Sequence, residues 1–126
     1  MKTVYLRQYF PPFPSLPIHL GFPEHSLSLG PLDALIDTGA DGTLVPQALL
    51  DELGAPLVDQ IQLRSQWGEA RPANLYTVDL GVSDLRLPAI EVVGDPGTEI
   101  ILGRDVLNRL RILLDGPAGE TTLIEK

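Results

Sequence analysis

The sequence holds no cysteine, one tryptophan, one methionine and two histidines in 126 residues. Without cysteine there is no disulfide framework and no thiolate chemistry, and a zinc site would have to be built from His19, His25 and carboxylates alone. Basic residues are scarce as well: nine Lys and Arg stand against seventeen Asp and Glu, a net charge of −8. Binding to a phosphate backbone draws on clustered cations, and only Arg104, Arg109 and Arg111 lie close together, so no nucleic-acid partner is expected. Long apolar runs are also missing. No segment reaches the length that spans a bilayer, and the proline-broken start, MKTVYLRQYFPPFPSLP, lacks the unbroken apolar stretch of a signal peptide. The expectation is a cytoplasmic protein with no membrane partner.

What is present is globular in composition, 44% hydrophobic and 21% charged, and long enough for one domain with its own core. Residues 1–23 differ from the rest, holding Tyr5, Tyr9, Phe10, Phe13 and Phe22, five of the seven aromatics, with five of the twelve prolines. They read as an N-terminal arm, and residues 24–126 as a single domain. So many aromatics would be sticky in water, so the arm should dock on its own core or on a neighbouring subunit. Thr3 to Tyr9 and Leu16 to Phe22 can form strands, with an extended FPPFPSLP between them.

From Leu32 the pattern is compact. LDALID reads as a buried strand and PQALLDEL as a helix, with Pro46 in its first turn and Gly54 at the C-terminal cap. Ile61 to Gln66 and Leu75 to Val82 read as strands of a long hairpin joined by WGEARPAN, with Gly68 near the tip. Short strands are expected at Leu85 to Leu87, Ile90 to Val93 and Glu99 to Leu102; then RDVLNRL as a helix, and RILLD and ETTLIE as strands about a GPAG turn. The fold class is mostly β with two short helices.

One stretch asks for chemistry. In ALIDTGAD an apolar run delivers Asp37 toward the interior, and Thr38 and Gly39 follow at once. The tripeptide alone is weak, since it arises by chance in a few per cent of chains this long. Context adds the weight: a second apolar run ending in glycine, EIILGRD, lies about sixty residues downstream and opens a helix. Other arrangements fare worse. DTGADG resembles the opening of a calcium loop, but Gly39 and Ala48 stand where ligands belong. No spacing favours a triad of Ser26, a histidine and an acid. Asp115, ahead of Gly-Pro, reads as a turn residue.

With ALIDTGAD from Ala34 to Asp41 and IILGRDVL from Ile100 to Leu107, the sequence resembles the retropepsin-like aspartic proteases. The resemblance covers roughly residues 32 to 115. It implies a closed β-barrel of the acid-protease type, acting as a homodimer that hydrolyses an extended peptide or protein substrate without metal or cofactor. Asp37 would be catalytic; Thr38 would lock the two active-site loops across the dimer; Gly39, with Ala40 and Asp41, would present backbone to the substrate. Asp41 and Arg104 match a structural ion pair, with Gly103 beside it. One chain supplies one Asp-Thr-Gly, so the second aspartate must come from another copy. The Ile61 to Val82 hairpin would be the flap over the cleft, with Trp67 and Gly68 against the substrate. Here the chain departs from the retroviral pattern, whose flaps are glycine-rich: Gly68 stands between Trp67 and Glu69, with Pro72 close behind. The alternative is a catalytically silent retropepsin-like domain that binds peptides or drives dimerisation. Phe10-Pro11 and Phe13-Pro14 would suit self-processing, although a stiff spacer is the simpler reading.

Overall fold

The computed structural model describes residues 1–64 and 67–125. Six strands close a barrel. β2 (Ser15–Gly21), β3 (Leu29–Ile36), β8 (Ile100–Leu102), β4 (Leu44–Pro46), β7 (Leu85–Asp95) and β6 (Ala70–Val82) are hydrogen-bonded in that order, and β6 pairs back onto β2. β5 (Leu57–Arg64) extends β6 outward as a hairpin. Beneath lies a smaller sheet of β1 (Lys2–Val4), β10 (Glu120–Ile124) and β9 (Arg111–Asp115), in the order β1-β10-β9. The two helices are short, α1 (Gln47–Leu53) and α2 (Arg104–Leu107).

The barrel fills itself by period-two patterning. Leu16, Ile18 and Leu20 of β2 and Val78, Leu80 and Val82 of β6 are fully buried, and Ala34, Val45, Val92, Leu102 and Val106 meet them in one core. Each such Leu, Ile or Val removed from water contributes about 1.5–3 kcal/mol, so this interior dominates stability. Leu50 anchors α1, and Gly54 ends it in the left-handed conformation, so that Gly54 N donates to Asp51 O at 3.1 Å and Ala55 N turns back to Leu50 O at 3.0 Å.

Several elements differ from expectation. The N-terminal segment contributes core directly, because β2 is a barrel strand with two neighbours. Of the expected Thr3 to Tyr9 strand only Thr3 and Val4 lie in β1; Tyr5 N still donates to Gly119 O at 2.8 Å, and the chain then makes a loop closed by the Leu6–Phe13 bridge. In that loop Tyr9 lies edge-on to Phe13 and donates to Glu99 Oε2, whereas Phe10 is 99% exposed. Pro46 ends β4 rather than sitting inside the helix, which begins at Gln47. The strands expected at Leu85 to Leu87 and Ile90 to Val93 are one strand, bent at Ala89 (φ 54°). The hairpin's second strand starts at Ala70, earlier than expected, and Ser65 and Gln66, expected to end its first strand, lie outside the described residues. Asp115 takes the turn role read from its sequence, accepting from Ala118 N at 3.1 Å.

Candidate active site

Asp37 stands one residue past the end of β3. The pairing of Ile36 with Leu102 fixes that end, the Asp37 N–H donates to Leu102 O at 3.1 Å, and Pro14 O accepts from Ile36 N at 3.0 Å on the other side. β4 lies across β8 from β3, so the connection 37–43 must arch over the end of β8, where α2 begins. That crossing sets the local chemistry. A turn forms as Ala40 N donates to Asp37 O at 3.1 Å, and Gly39 N donates to Asp37 Oδ1 at 2.9 Å. The residue is half-buried, and among the described residues this is the carboxylate's one hydrogen bond, which leaves its second oxygen without a partner there.

The arch is locked to α2 from below. Arg104 N donates to Ala40 O at 2.8 Å, and the Arg104 guanidinium donates to Thr38 O at 2.8 Å. Thr43 is fully buried; its Oγ1 accepts from Gly103 N at 3.1 Å and donates to Asp105 Oδ1 at 2.8 Å. Gly103 has no room for a side chain, because a Cβ there would stand 2.4 Å from Gly42 O. The expected Asp41–Arg104 ion pair does not form among the described residues: Arg104 is spent on the Thr38 carbonyl, and Asp41 is exposed. Asp105 lies within the second motif and Thr43 two residues past the first, and neither announces this contact from sequence.

An open cleft of about 1040 Å³ lies between this arch and the β5–β6 hairpin. Ala40, Asp41, Gly42 and Leu44 form one wall; Ile61, Leu63, Arg64, Glu69 and Arg71 of the hairpin form the other, over Leu75, Glu91 and Val93. Asp37, Thr38 and Gly39 stand beside this volume and do not line it. Trp67 (80% exposed) and Gly68 (φ 85°) are at the hairpin tip, outside the cleft lining. Among the described residues no group of three His, Cys, Asp or Glu could hold a metal ion, and no helix is long and apolar enough to cross a membrane.

Residues 28–109 match the family model described as "gag-polyprotein putative aspartyl protease". The chain belongs to this family. The match spans both motifs, the arch and the whole hairpin. Three solved structures share the protease fold. A retropepsin-like aspartic protease from Rickettsia conorii matches with a TM-score of 0.64 at 15% identity, over 98% of this chain and 90% of that one. EIAV protease complexed with the inhibitor HBY-793 matches at 0.57 and 20% identity, over 77% of this chain and 86% of that one. The retroviral protease-like domain of Ddi1 from Leishmania major matches at 0.57 and 16% identity, over 90% of each. No curated protein matches the chain. The retropepsin-like, mostly β barrel expected from the two motifs is therefore the fold of this aspartyl-protease family member.

Proposed function

We propose that the protein is an aspartic endopeptidase, active as a homodimer in which Asp37 of each copy faces the other across a twofold axis. The observation that carries this reading is the state of Asp37: a half-buried carboxylate with one oxygen held by Gly39 N and the other without a partner among the described residues, beside an open cleft of about 1040 Å³. Two such carboxylates brought together cannot both ionise cheaply and would share one proton. The handling of charge by aspartic proteases is a standard example of that coupling. The ionised member takes a proton from a water held between them as that water attacks the scissile carbonyl carbon. The protonated member gives its proton to the carbonyl oxygen, leaving a tetrahedral diol; as the C–N bond breaks, the proton gained by the first member passes to the leaving amine and one diol hydroxyl returns its proton to the second member, which restores the shared-proton pair. No covalent intermediate forms.

The remaining residues have positioning roles in this scheme. Thr38, whose hydroxyl has no partner among the described residues, would bond across the dimer. Gly39, Ala40 and Asp41 would offer backbone groups to the substrate strand, as an added strand does at a sheet edge. Gly103 and Arg104 hold the arch from beneath through the contacts described. Trp67 and Gly68, at the tip of the hairpin, would reach the substrate only when the hairpin closes. A cytoplasmic setting belongs to the same proposal.

The test is cleavage of an unfolded protein across about pH 3 to 7, at several enzyme concentrations, beside Asp37→Asn. Specific activity rising with dimer formation, a bell-shaped pH profile and a silent variant are expected. Equal cleavage by the Asn variant would refute the assignment of Asp37.

A further inference from the structure

The cleft beside Asp37 carries a charge that nothing in the chain answers. Leu44 of β4 and Leu75 of β6 both pair with Val93 of β7, so the three side chains lie in one row on one face of the sheet. Val93 is 6% exposed and the leucines are half-buried, which makes the row an apolar strip. Ile61 and Leu63 of the hairpin, both half-buried, flank it. Side chains alternate along a strand, so the face of β7 that carries Val93 also carries Glu91 and Asp95, about 7 Å to either side. The two acids are treated differently. Asp95 is paired with Arg71 at 3.5 Å and accepts from Gly97 N, whereas Glu91 is exposed, lines the cleft and has no hydrogen bond or ion pair among the described residues.

The arch beside Glu91 also leaves room. Leu44 runs parallel beside Val93, and Val93 N donates to Thr43 O at 2.9 Å, so counting back two residues brings Gly42 level with Glu91. Thr43 and Val92, one residue back, are both fully buried, as that count requires. A Cβ on Gly42 would meet no atom within 4 Å. No cation of the cleft fills this space: Arg71 is held by Asp95, and Arg64 belongs to the face of β5 opposite Leu63. The other charged residues of the lining, Asp41 and Glu69, are acids.

We infer that this end of the cleft takes a lysine or arginine side chain of a bound peptide, its methylene stem along Leu44, Val93 and Leu75 and its cation on Glu91. Long basic side chains bury their stems on apolar surface and keep the charge at a polar end, and the strip with Glu91 at one end presents that pattern. An aliphatic side chain would cover the strip but leave Glu91 shielded from water without a counter-charge. An acidic one would add repulsion. Glu91 is then a specificity-determining residue, holding the peptide's cation as Asp95 holds Arg71. Calling the peptide a substrate rests on the peptidase reading; the strip, the gap and the unanswered carboxylate do not.

Binding tests this apart from cleavage. Dye-labelled peptides of one unstructured sequence, with lysine, norleucine or glutamate walked through each position, are titrated by fluorescence anisotropy onto Asp37→Asn, alone and combined with Glu91→Gln or Glu91→Lys. Norleucine keeps the stem of lysine without its charge. At one position lysine should bind about fivefold or more tightly than norleucine, with glutamate weakest. Glu91→Gln should bring lysine and norleucine to within about twofold of each other, and Glu91→Lys should make glutamate the favoured residue there. Circular dichroism checks that the variants fold; should Glu91→Lys fail, the milder Glu91→Gln decides alone. No binding by any peptide, no position that discriminates charge, or a lysine preference that survives Glu91→Gln would overturn the assignment. Wild type is assayed for cleavage of the same peptides, so the two readings fail separately. Charge-selective binding controlled by Glu91 in a protein that does not cleave removes the peptidase and keeps the site; cleavage with no charge preference at any position does the reverse.

Discussion

Two aspartates of the same barrel are treated in opposite ways. Asp79 sits at a register shift in β6, its side chain 3% exposed, and is saturated with donors: Ala89 N at 2.8 Å, Glu24 N at 2.9 Å, and the Arg86 guanidinium at 2.7 and 3.2 Å. Two of those donors, Glu24 (φ 66°) and Ala89 (φ 54°), are non-glycine residues in the left-handed region. Such backbone is costly and persists where surrounding structure over-determines it. One carboxylate thus ties the turn after β2 to the bend of β7. Asp37, by contrast, has one donor among the described residues, Gly39 N, and a second oxygen with none. A carboxylate that has used all its acceptor capacity can only hold structure; one that accepts a single bond, from Gly39 N in its own turn, keeps capacity for a further partner. Burial alone would have ranked the two acids the other way.

Substituting each by asparagine is the sharpest way to break the comparison. Asp37→Asn should cost at least about 10³-fold in peptidase activity, while denaturant unfolding shifts by less than about 1 kcal/mol because the amide oxygen can still accept from Gly39 N. Asp79→Asn should show the opposite profile, losing about 3 kcal/mol because its amide turns a donor toward three donors and leaves Arg86 without its counter-charge. Its residual activity, measured well below the melting temperature, should stay close to wild type per folded molecule. If the two variants lose stability equally, the contrast is wrong.

Acid titration sharpens the same point. For Asp79 burial is the largest influence and pushes its carboxyl up, but the hydrogen bonds from Ala89 N, Arg86 and Glu24 N together outweigh it and hold the group below its ordinary value. A carboxyl lowered on folding confers stability that is complete above the unfolded value of about 3.9 and disappears as pH falls through the folded value. Wild type should therefore lose stability on acidification below about pH 4, and Asp79→Asn should show a flatter curve there. Parallel curves would show that another group carries the acid sensitivity. Above that range the Asp79 knot stays charged, so the barrel remains tied while the proposed Asp37 pair works.

Gly103→Ala probes the support of Asp37 rather than the acid itself. The new methyl would stand 2.4 Å from Gly42 O, a backbone atom that cannot rotate away. The arch must move, at about 1–3 kcal/mol of stability, and activity should fall by more than the stability loss explains. Unchanged kcat with an unchanged melting temperature would mean that the arch is looser than its contacts suggest.

What the sequence disclosed and what it hid follow one physical division. The Asp37 strand, the β5–β6 hairpin, α1 with its Gly54 cap and the final β9–β10 hairpin announce themselves through local periodicity and turn residues. β4 does not: three residues, LVP, have no period to show, and they are a strand only because β7 and β8 lie on either side. β7 reads as two strands about Ala89 because nothing local tells that Asp79, ten residues away, holds that bend. At the site the motif residues were legible. The Thr43 bridge between Gly103 and Asp105 was not, because a buried threonine differs from an exposed one only in its long-range partners. Arg104 was legible as support but not in its contact, since a guanidinium within reach of both a carboxylate and a carbonyl is assigned by geometry alone.

A third acid lies between the extremes and gives the smallest expected effect. Asp95, at the end of β7, accepts from Gly97 N at 2.8 Å and pairs with Arg71 of the hairpin at 3.5 Å, with side chains 22% and 51% exposed. So open a pair is screened by water and contributes about 0–1 kcal/mol. Arg71→Ala should therefore leave global unfolding nearly unchanged. Its consequence is local, because the pair joins the hairpin to the barrel across the cleft. Amide exchange within 61–64 and 70–74 should accelerate a few-fold in the variant, and raised salt should produce the same acceleration in wild type and none in the variant, as expected of an exposed ion pair within a Debye length of solvent ions. Equal acceleration by salt in both proteins would mean that another contact holds the hairpin down, and that Asp95, like Asp79, serves the barrel alone.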